Sequence, residues 1–140
     1  MGNIKAKFQL LDSYIKKYSM EVNRKIQNNE EIEIDGQMGF GIVQITKTEE
    51  LIGEIELTNK IILKINNKEV GTINIVMGAL FNGTLDIEED FEKMLKLNGA
   101  TTLSNLMRAY VASNTALSGM PTIMVPMINF VEFFNNKEDK

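Results

Sequence analysis

Residues 51–81 read LIGEIELTNKIILKINNKEVGTINIVMGALF, and this stretch decides the fold. Leu51, Ile55, Leu57, Ile61, Leu63 and Ile65 alternate with Glu54, Glu56, Thr58, Lys60 and Lys64. A period of two sustained over 51–66 predicts one strand, far longer than the usual about 5–6 residues. Asn66-Asn67 follows it, and asparagine tolerates the left-handed backbone that a tight hairpin turn demands. A second strand is predicted over 69–81, with Ile73, Ile75 and Met77 on one face.

Toward the N-terminus, 8–21 reads as a strand with apolar groups on both faces. Tyr14, Tyr18 and Met20 share one parity, while Leu11, Ile15 and Ser19 share the other. Such a strand is sandwiched or meets a partner. Residues 22–29 are polar and connect it to a strand over 31–46, where Ile32, Ile34, Met38, Phe40 and Ile42 fall at even spacing. Gly36, Gly39 and Gly41 predict a bulge or bend there. Four successive strands joined by turns predict an antiparallel meander.

Beyond Asn82-Gly83 the period changes. Asp86 is the expected N-cap of a helix, with Glu89 as its capping-box partner, and Gly99 is expected to end it. A longer helix is predicted over 102–117, with Leu103, Leu106, Met107, Tyr110, Val111 and Leu117 in one stripe. Gly119 and Pro121 stop it, 122–127 is an extended apolar connection, and a last helix starts near Asn129. The fold class is therefore α+β, a four-stranded antiparallel meander sheet followed by C-terminal helices on one side. One domain over 1–140 is expected, with 135–140 a polar, frayed tail.

Composition excludes several functions. The chain of 140 residues has no Cys, His or Trp, so disulfides are excluded and a soft-metal site has no ligands to draw on. No metal or cofactor is expected. Net charge is −4, and the basic pairs Lys16-Lys17 and Arg24-Lys25 are too short for a phosphate-binding patch, so no nucleic-acid partner is expected. No leader and no long apolar run is visible, so a cytoplasmic protein without membrane insertion is expected. Enzymatic readings fare poorly. Glu30-Glu31 and Glu49-Glu50 are neighbours that point to opposite strand faces, and Glu88-Glu89-Asp90 suits a helix N-terminus. Ser104, Ser113 and Ser118 have no histidine base, and the 36–41 glycines lack the lysine of a phosphate loop.

Several pieces of sequence resemble one family. Phe8-Gln9-Leu10 followed by Tyr14, Lys16, Ser19 and Glu21 looks like the first strand of SecB chaperones, and Gly78-Ala79-Leu80-Phe81 like the end of their fourth. Arg108 sits in the helix where the family commonly has an arginine. The Pro121 to Phe134 stretch, with Ile128-Asn129-Phe130, is similar to the family's closing connection and helix. The resemblance implies a homotetramer, a dimer of dimers, that captures unfolded polypeptide clients without ATP and in export members delivers them to SecA. It implies Glu21 as a SecA-type contact. Lys17 and Asn74 stand where export members carry acids, and Leu117-Ser118-Gly119-Met120-Pro121 carries a shifted glycine. The family also includes dedicated chaperones of one antitoxin, and this chain is equally expected to be such an adaptor.

A holding site needs adaptable apolar surface, and flexible methionines supply it. Nine Met are present, with Met107, Met120, Met124 and Met127 close to Phe130, Phe133 and Phe134. The expected client groove comprises Ile32, Ile34, Phe40, Tyr110, Met120, Met124, Phe130, Phe133 and Phe134. The expected oligomer interface comprises Tyr14, Tyr18, Leu103, Leu106, Met107 and Val111. The competing reading of the same stripes is ordinary core, above all for Leu103, Leu106 and Val111.

Overall fold

A computed structural model describes residues 6–138. Four long strands, β1 (Phe8–Val22), β2 (Glu33–Lys47), β3 (Leu51–Ile65) and β4 (Lys68–Gly83), form one antiparallel sheet. A 3₁₀ turn at Leu85–Ile87 leads into α1 (Glu88–Met94), a π turn at Leu95–Gly99, and α2 (Ala100–Leu117). An extended strap over 118–129 leads to α3 (Phe130–Glu138). That last helix runs on through 135–138, which the sequence reading assigns to the polar tail. No helix among the described residues is long and apolar enough to cross a membrane.

The sheet order is β1-β4-β3-β2. Three hairpin-linked strands form the expected meander, but β1 pairs with β4 rather than β2, which corrects the meander to a Greek-key order. The connection from β1 must cross the end of the sheet, and its path is braced. Both terminal guanidinium nitrogens of Arg24 donate to Glu30, at 2.8 and 2.7 Å, and Glu30 also accepts the Gln27 N–H at 2.9 Å. This closed loop holds Ile26 buried against the end of the core. The β3–β4 turn is as expected: Asn66 and Asn67 have φ of 52° and 66°, the left-handed pair of a type I′ hairpin.

Strand β3 shows why its sequence is so regular. Leu51, Ile55, Leu57, Ile61, Leu63 and Ile65 are all buried on the face that the helices cover. Ile73, Ile75, Met77, Ala79 and Phe81 of β4 join them. Burying a side chain of this size contributes roughly 1.5–3 kcal/mol, so this face dominates stability. Its helical counterpart is the inner stripe Leu103, Met107 and Val111 of α2.

Four local expectations are corrected. Gly99 does not end a helix: its backbone is right-handed helical (φ −64°) and the chain runs through the π turn into α2. A Cβ there would meet Ile55 and Phe81 at 3.2 and 3.3 Å, so glycine lets the helix lie close on the sheet. Asp86 caps nothing. Its carboxylate accepts from Lys7 at 2.7 Å and from Thr84, and Ile87 is the N-cap of α1. The β2 bulge falls at Val43, between Ile42 and Gln44, while the three glycines stay in register. In β1, bulges at Leu11 and Lys16 shift the register. The second changes the parity, so that Ile15, Tyr18 and Met20 pair with helix-side residues of β4, while Tyr14 pairs with Gly78 on the opposite face. Tyr14 and Tyr18 therefore do not share a face.

Candidate functional site

The helix-side edge of β2 is built by even-numbered residues. Ile34, Met38, Phe40 and Ile42 pair with Leu63, Asn59, Leu57 and Ile55, and all four are half-buried because β2 is the sheet's edge. Helix α3 lies over this edge. Phe134 meets Phe40 edge-to-face at 5.1 Å, Phe133 meets Phe134 at 5.1 Å, and Phe130 meets Phe133 at 5.7 Å. Rings in this geometry attract by about 0.5–1.5 kcal/mol beyond their burial. Lys96 from the π turn sits 6.0 Å above the Phe134 ring.

The strap sets where α3 lies. Gly119 has φ +76°, a left-handed conformation that ends α2 without the Cβ penalty of other residues. Arg108 Nε donates to the Val125 carbonyl at 2.6 Å. Thr115 Oγ1 donates to the Val111 carbonyl at 2.9 Å and accepts the Ile123 N–H at 2.9 Å. These bonds clamp the strap onto α2, and Ile123 and Val125 turn into the core while Met124 and Met127 face outward, 60 % and 73 % exposed. Asn129 then starts α3, its side-chain oxygen accepting the Glu132 N–H at 3.2 Å.

The residues named for a groove divide into four groups. Ile32, Ile34, Phe40, Phe133 and Phe134 are half-buried, and the last three touch at the β2–α3 edge. Met124 is exposed on the strap. Met120 (9 % exposed) and Phe130 (3 % exposed) are core, because the strap's bonds to α2 pull both inward. That corrects their expected place in the lining. Tyr110 is elsewhere: it meets Tyr18 edge-to-face at 5.2 Å, on the β1 side of the sheet.

Tyr110 opens onto a shallow cleft of 420 Å³ between β1 and α2, with Ile15, Met77, Leu106 and Ser113 on its walls. Of the residues named for an oligomer interface, Leu106 is exposed and Tyr18 half-buried beside this cleft. Leu103, Met107 and Val111 are buried against the chain's own sheet, which corrects their assignment to a surface. The outward side of α2 instead shows Ala109, Ser113 and Leu117, of which the stripe named from the sequence includes only Leu117. A second cleft, of 660 Å³, separates α1 and the π turn from α3 and has Leu97, Val131 and Phe134 as its apolar wall and Glu89, Glu92, Lys93 and Lys96 at its rim.

Among the described residues, no helix covers the far face of the sheet. Tyr14 lies across Gly78, where a Cβ would come within 2.2 Å of the ring, and its hydroxyl donates to Glu54. That bond, with the nearby Glu54 and Glu56 charges and partial burial, pushes the Tyr14 hydroxyl up to about 12. Glu21 pairs with Thr72 on this face, and Lys17 and Asn74 also lie on it.

Comparison with known proteins agrees with this architecture. The family described as Preprotein translocase subunit SecB matches residues 2–140. The protein-export proteins SecB of Orientia tsutsugamushi strains Boryong and Ikeda are each 23% identical over 129 residues, covering 89% of this chain and 79% and 77% of theirs. Among solved structures, a SecB-like chaperone of Mycobacterium tuberculosis in complex with a ChAD peptide from the HigA1 antitoxin superimposes with a TM-score of 0.67. It is 16% identical, and the match covers 88% of this chain and 91% of that one. With the family match running over nearly its full length and the sheet-then-helices fold shared, this chain belongs to the SecB family.

Proposed function

We propose that this SecB-family chain is a holding chaperone that binds non-native polypeptide without ATP on the apolar surface around Phe40, Phe133 and Phe134. The observation that carries the reading is the half-buried aromatic cluster at the edge of the sheet, beside exposed Met124, Met127 and Val131. Apolar burial contributes about 25 cal/mol per Å², so a client needs many weak contacts along an extended segment. The β2–α3 edge and the α1–α3 cleft together offer such a path. Flexible methionines and rotatable rings suit varied sequences.

The working form we propose is a cytoplasmic homotetramer, a dimer of dimers. The exposed small and apolar side of α2, with Leu106, Ala109, Ser113 and Leu117, supports helix packing between dimers, and the β1–α2 cleft beside Tyr110 supports a further contact. The first test is light scattering of a chemically denatured client diluted with and without the protein, no nucleotide added. Suppression near one tetramer per client is the expected result. No suppression at severalfold excess would remove general holding.

A second reading is a dedicated adaptor for one partner, such as an antitoxin. Lys17 and Asn74 favour it, because export members of the family place acids there for SecA, and only Glu21 remains of that set. The related antitoxin-bound chaperone supports the same reading. Competition binding separates the two, since a dedicated adaptor yields to one peptide and not to unrelated unfolded chains.

A further inference from the structure

We infer that the bare face of the sheet holds a docking site for a short acidic peptide segment, centred on Lys17 and Lys60. Pairing puts both lysines on that face and in adjacent rows. One row runs Ser19 (β1), Asn74 (β4), Lys60 (β3) and Gln37 (β2), and the next runs Lys17, Val76, Thr58 and Gly39. The small residues Gly39 and Thr58 form the floor of a shallow depression of 390 Å³, and Lys17, Lys60, Asn74 and Gln37 stand around it. Every group on this rim is a hydrogen-bond donor, and two of them are cationic.

Other charges near the middle of the face are compensated, and these two are not. Lys16 pairs with Glu56 at 3.0 Å, Lys64 pairs with Asp35 at 3.2 Å, and Glu54 accepts the Tyr14 hydroxyl. Among the described residues, neither Lys17 nor Lys60 has a carboxylate partner. The carboxylates of Asp12, Glu21 and Glu33, which form no ion pair among the described residues, lie toward the ends of the strands, away from the depression. The face is therefore positive in its middle and negative at its margins.

Spacing selects the ligand class. Strands lie about 4.8 Å apart and rise about 3.3 Å per residue, which sets the two lysine roots about 12 Å apart. That matches carboxylates about four residues apart on an extended chain. A nucleic acid presents continuous negative charge and would meet the acidic margins of the face and a chain of net charge −4. A short acidic stretch with neutral flanks fits the pattern. The inference does not depend on client holding, which belongs to the other side of the sheet.

The test uses the full ¹⁵N-labelled chain titrated with a Gly/Ser peptide carrying glutamates, a matched peptide carrying lysines, and a single-stranded oligonucleotide. The glutamate peptide is expected to shift amides around Lys17, Ser19, Gln37, Lys60 and Asn74. Its affinity is expected to fall at least tenfold in K17E/K60E, and likewise at about 1 M salt, where the screening length drops to about 3 Å. K17E/K60E is expected to take the lysine peptide instead, with holding of an unfolded client unchanged. K17Q/K60Q serves if the charge reversal disturbs folding. Equal binding of both peptides, tighter binding of the oligonucleotide, or shifts that map to α3 would each overturn the inference.

Discussion

Replacing Thr115 by valine tests the clamp between α2 and the strap. The side chain is fully buried, and its hydroxyl both donates to Val111 and accepts from the Ile123 amide at 2.9 Å. Valine keeps the shape and β-branching, so no cavity opens. The donation to a carbonyl inside the helix is lost, and the Ile123 N–H stays buried, in a residue only 2 % exposed, without its hydroxyl acceptor. Stranding such a donor costs about 1–3 kcal/mol. T115V is therefore expected to lose about 2 kcal/mol in urea unfolding, measured at fixed protein concentration because the proposed assembly would contribute to apparent stability. Hydrogen exchange at the Ile123 amide is expected to speed up about 30-fold, at about 1.4 kcal/mol per factor of ten. T115S keeps the hydroxyl and loses one methyl, which costs about 1 kcal/mol with the Ile123 amide still protected. A T115V protein that keeps both its stability and its Ile123 protection would refute the clamp. So would a T115S protein whose strap exchanges as fast as that of T115V.

Further outcomes follow from other contacts. G78A is expected to destabilise by about 1–3 kcal/mol, because its Cβ would lie 2.2 Å from the Tyr14 ring; combined with Y14A the loss is expected to be much less than additive in a double-mutant cycle. The Tyr14 hydroxyl is raised above its ordinary 10, so the Glu54 bond stabilises below about pH 10 and is lost as pH rises through about 12; tyrosinate absorbance in E54Q is expected to show the midpoint returning toward 10. Glu30 is held at about 2, first by the Arg24 guanidinium and then by the Gln27 amide, so its contribution is present above about 4.5 and lost as pH falls through about 2. Carboxyl NMR titration of R24Q is expected to bring it back toward 4.5, and an unmoved midpoint would discount that pair. F40A removes the ring on which Phe134 packs and is expected to loosen α3 by about 2 kcal/mol and to alter client retention, read as faster exchange of α3 amides together with the light-scattering assay.

The sheet was legible wherever burial alone decides the pattern. In β3 one face is core and the other is open, so Leu51 to Ile65 alternates without a break, and the Asn66-Asn67 turn follows from backbone chemistry that asparagine tolerates. The strap and α3 were legible for the same reason, since proline, glycine and an asparagine cap act locally. Strand order was not, because neighbour choice in a sheet leaves no trace in a strand's own period. The bulge at Lys16 left a faint one: Ile15 and Tyr18 are three apart where a regular strand would space same-face residues by two. Gly99 misled because glycine serves close packing in a helix as readily as it ends one. In α2 the apolar stripe is wider than the buried one, so Leu106 and Leu117 reached the surface while Leu103, Met107 and Val111 went to the core. The contact across to Phe40 sets Phe134 apart from the buried Phe130, and no spacing in the sequence encodes that contact.

The bulges bear on how the molecule survives its own trade. A protein that handles unfolded chains meets them at high local concentration, and a long, straight sheet edge would recruit them by main-chain pairing into ever-wider sheets. Both outer strands here are fifteen residues long, enough to start such growth. Each is interrupted: β1 at Leu11 and Lys16, β2 at Val43. An extra residue bends and twists the strand, so an incoming segment finds matching donors and acceptors only over a short run before it falls out of step. The sheet can present apolar side chains to a partner and still refuse to become the seed of an aggregate.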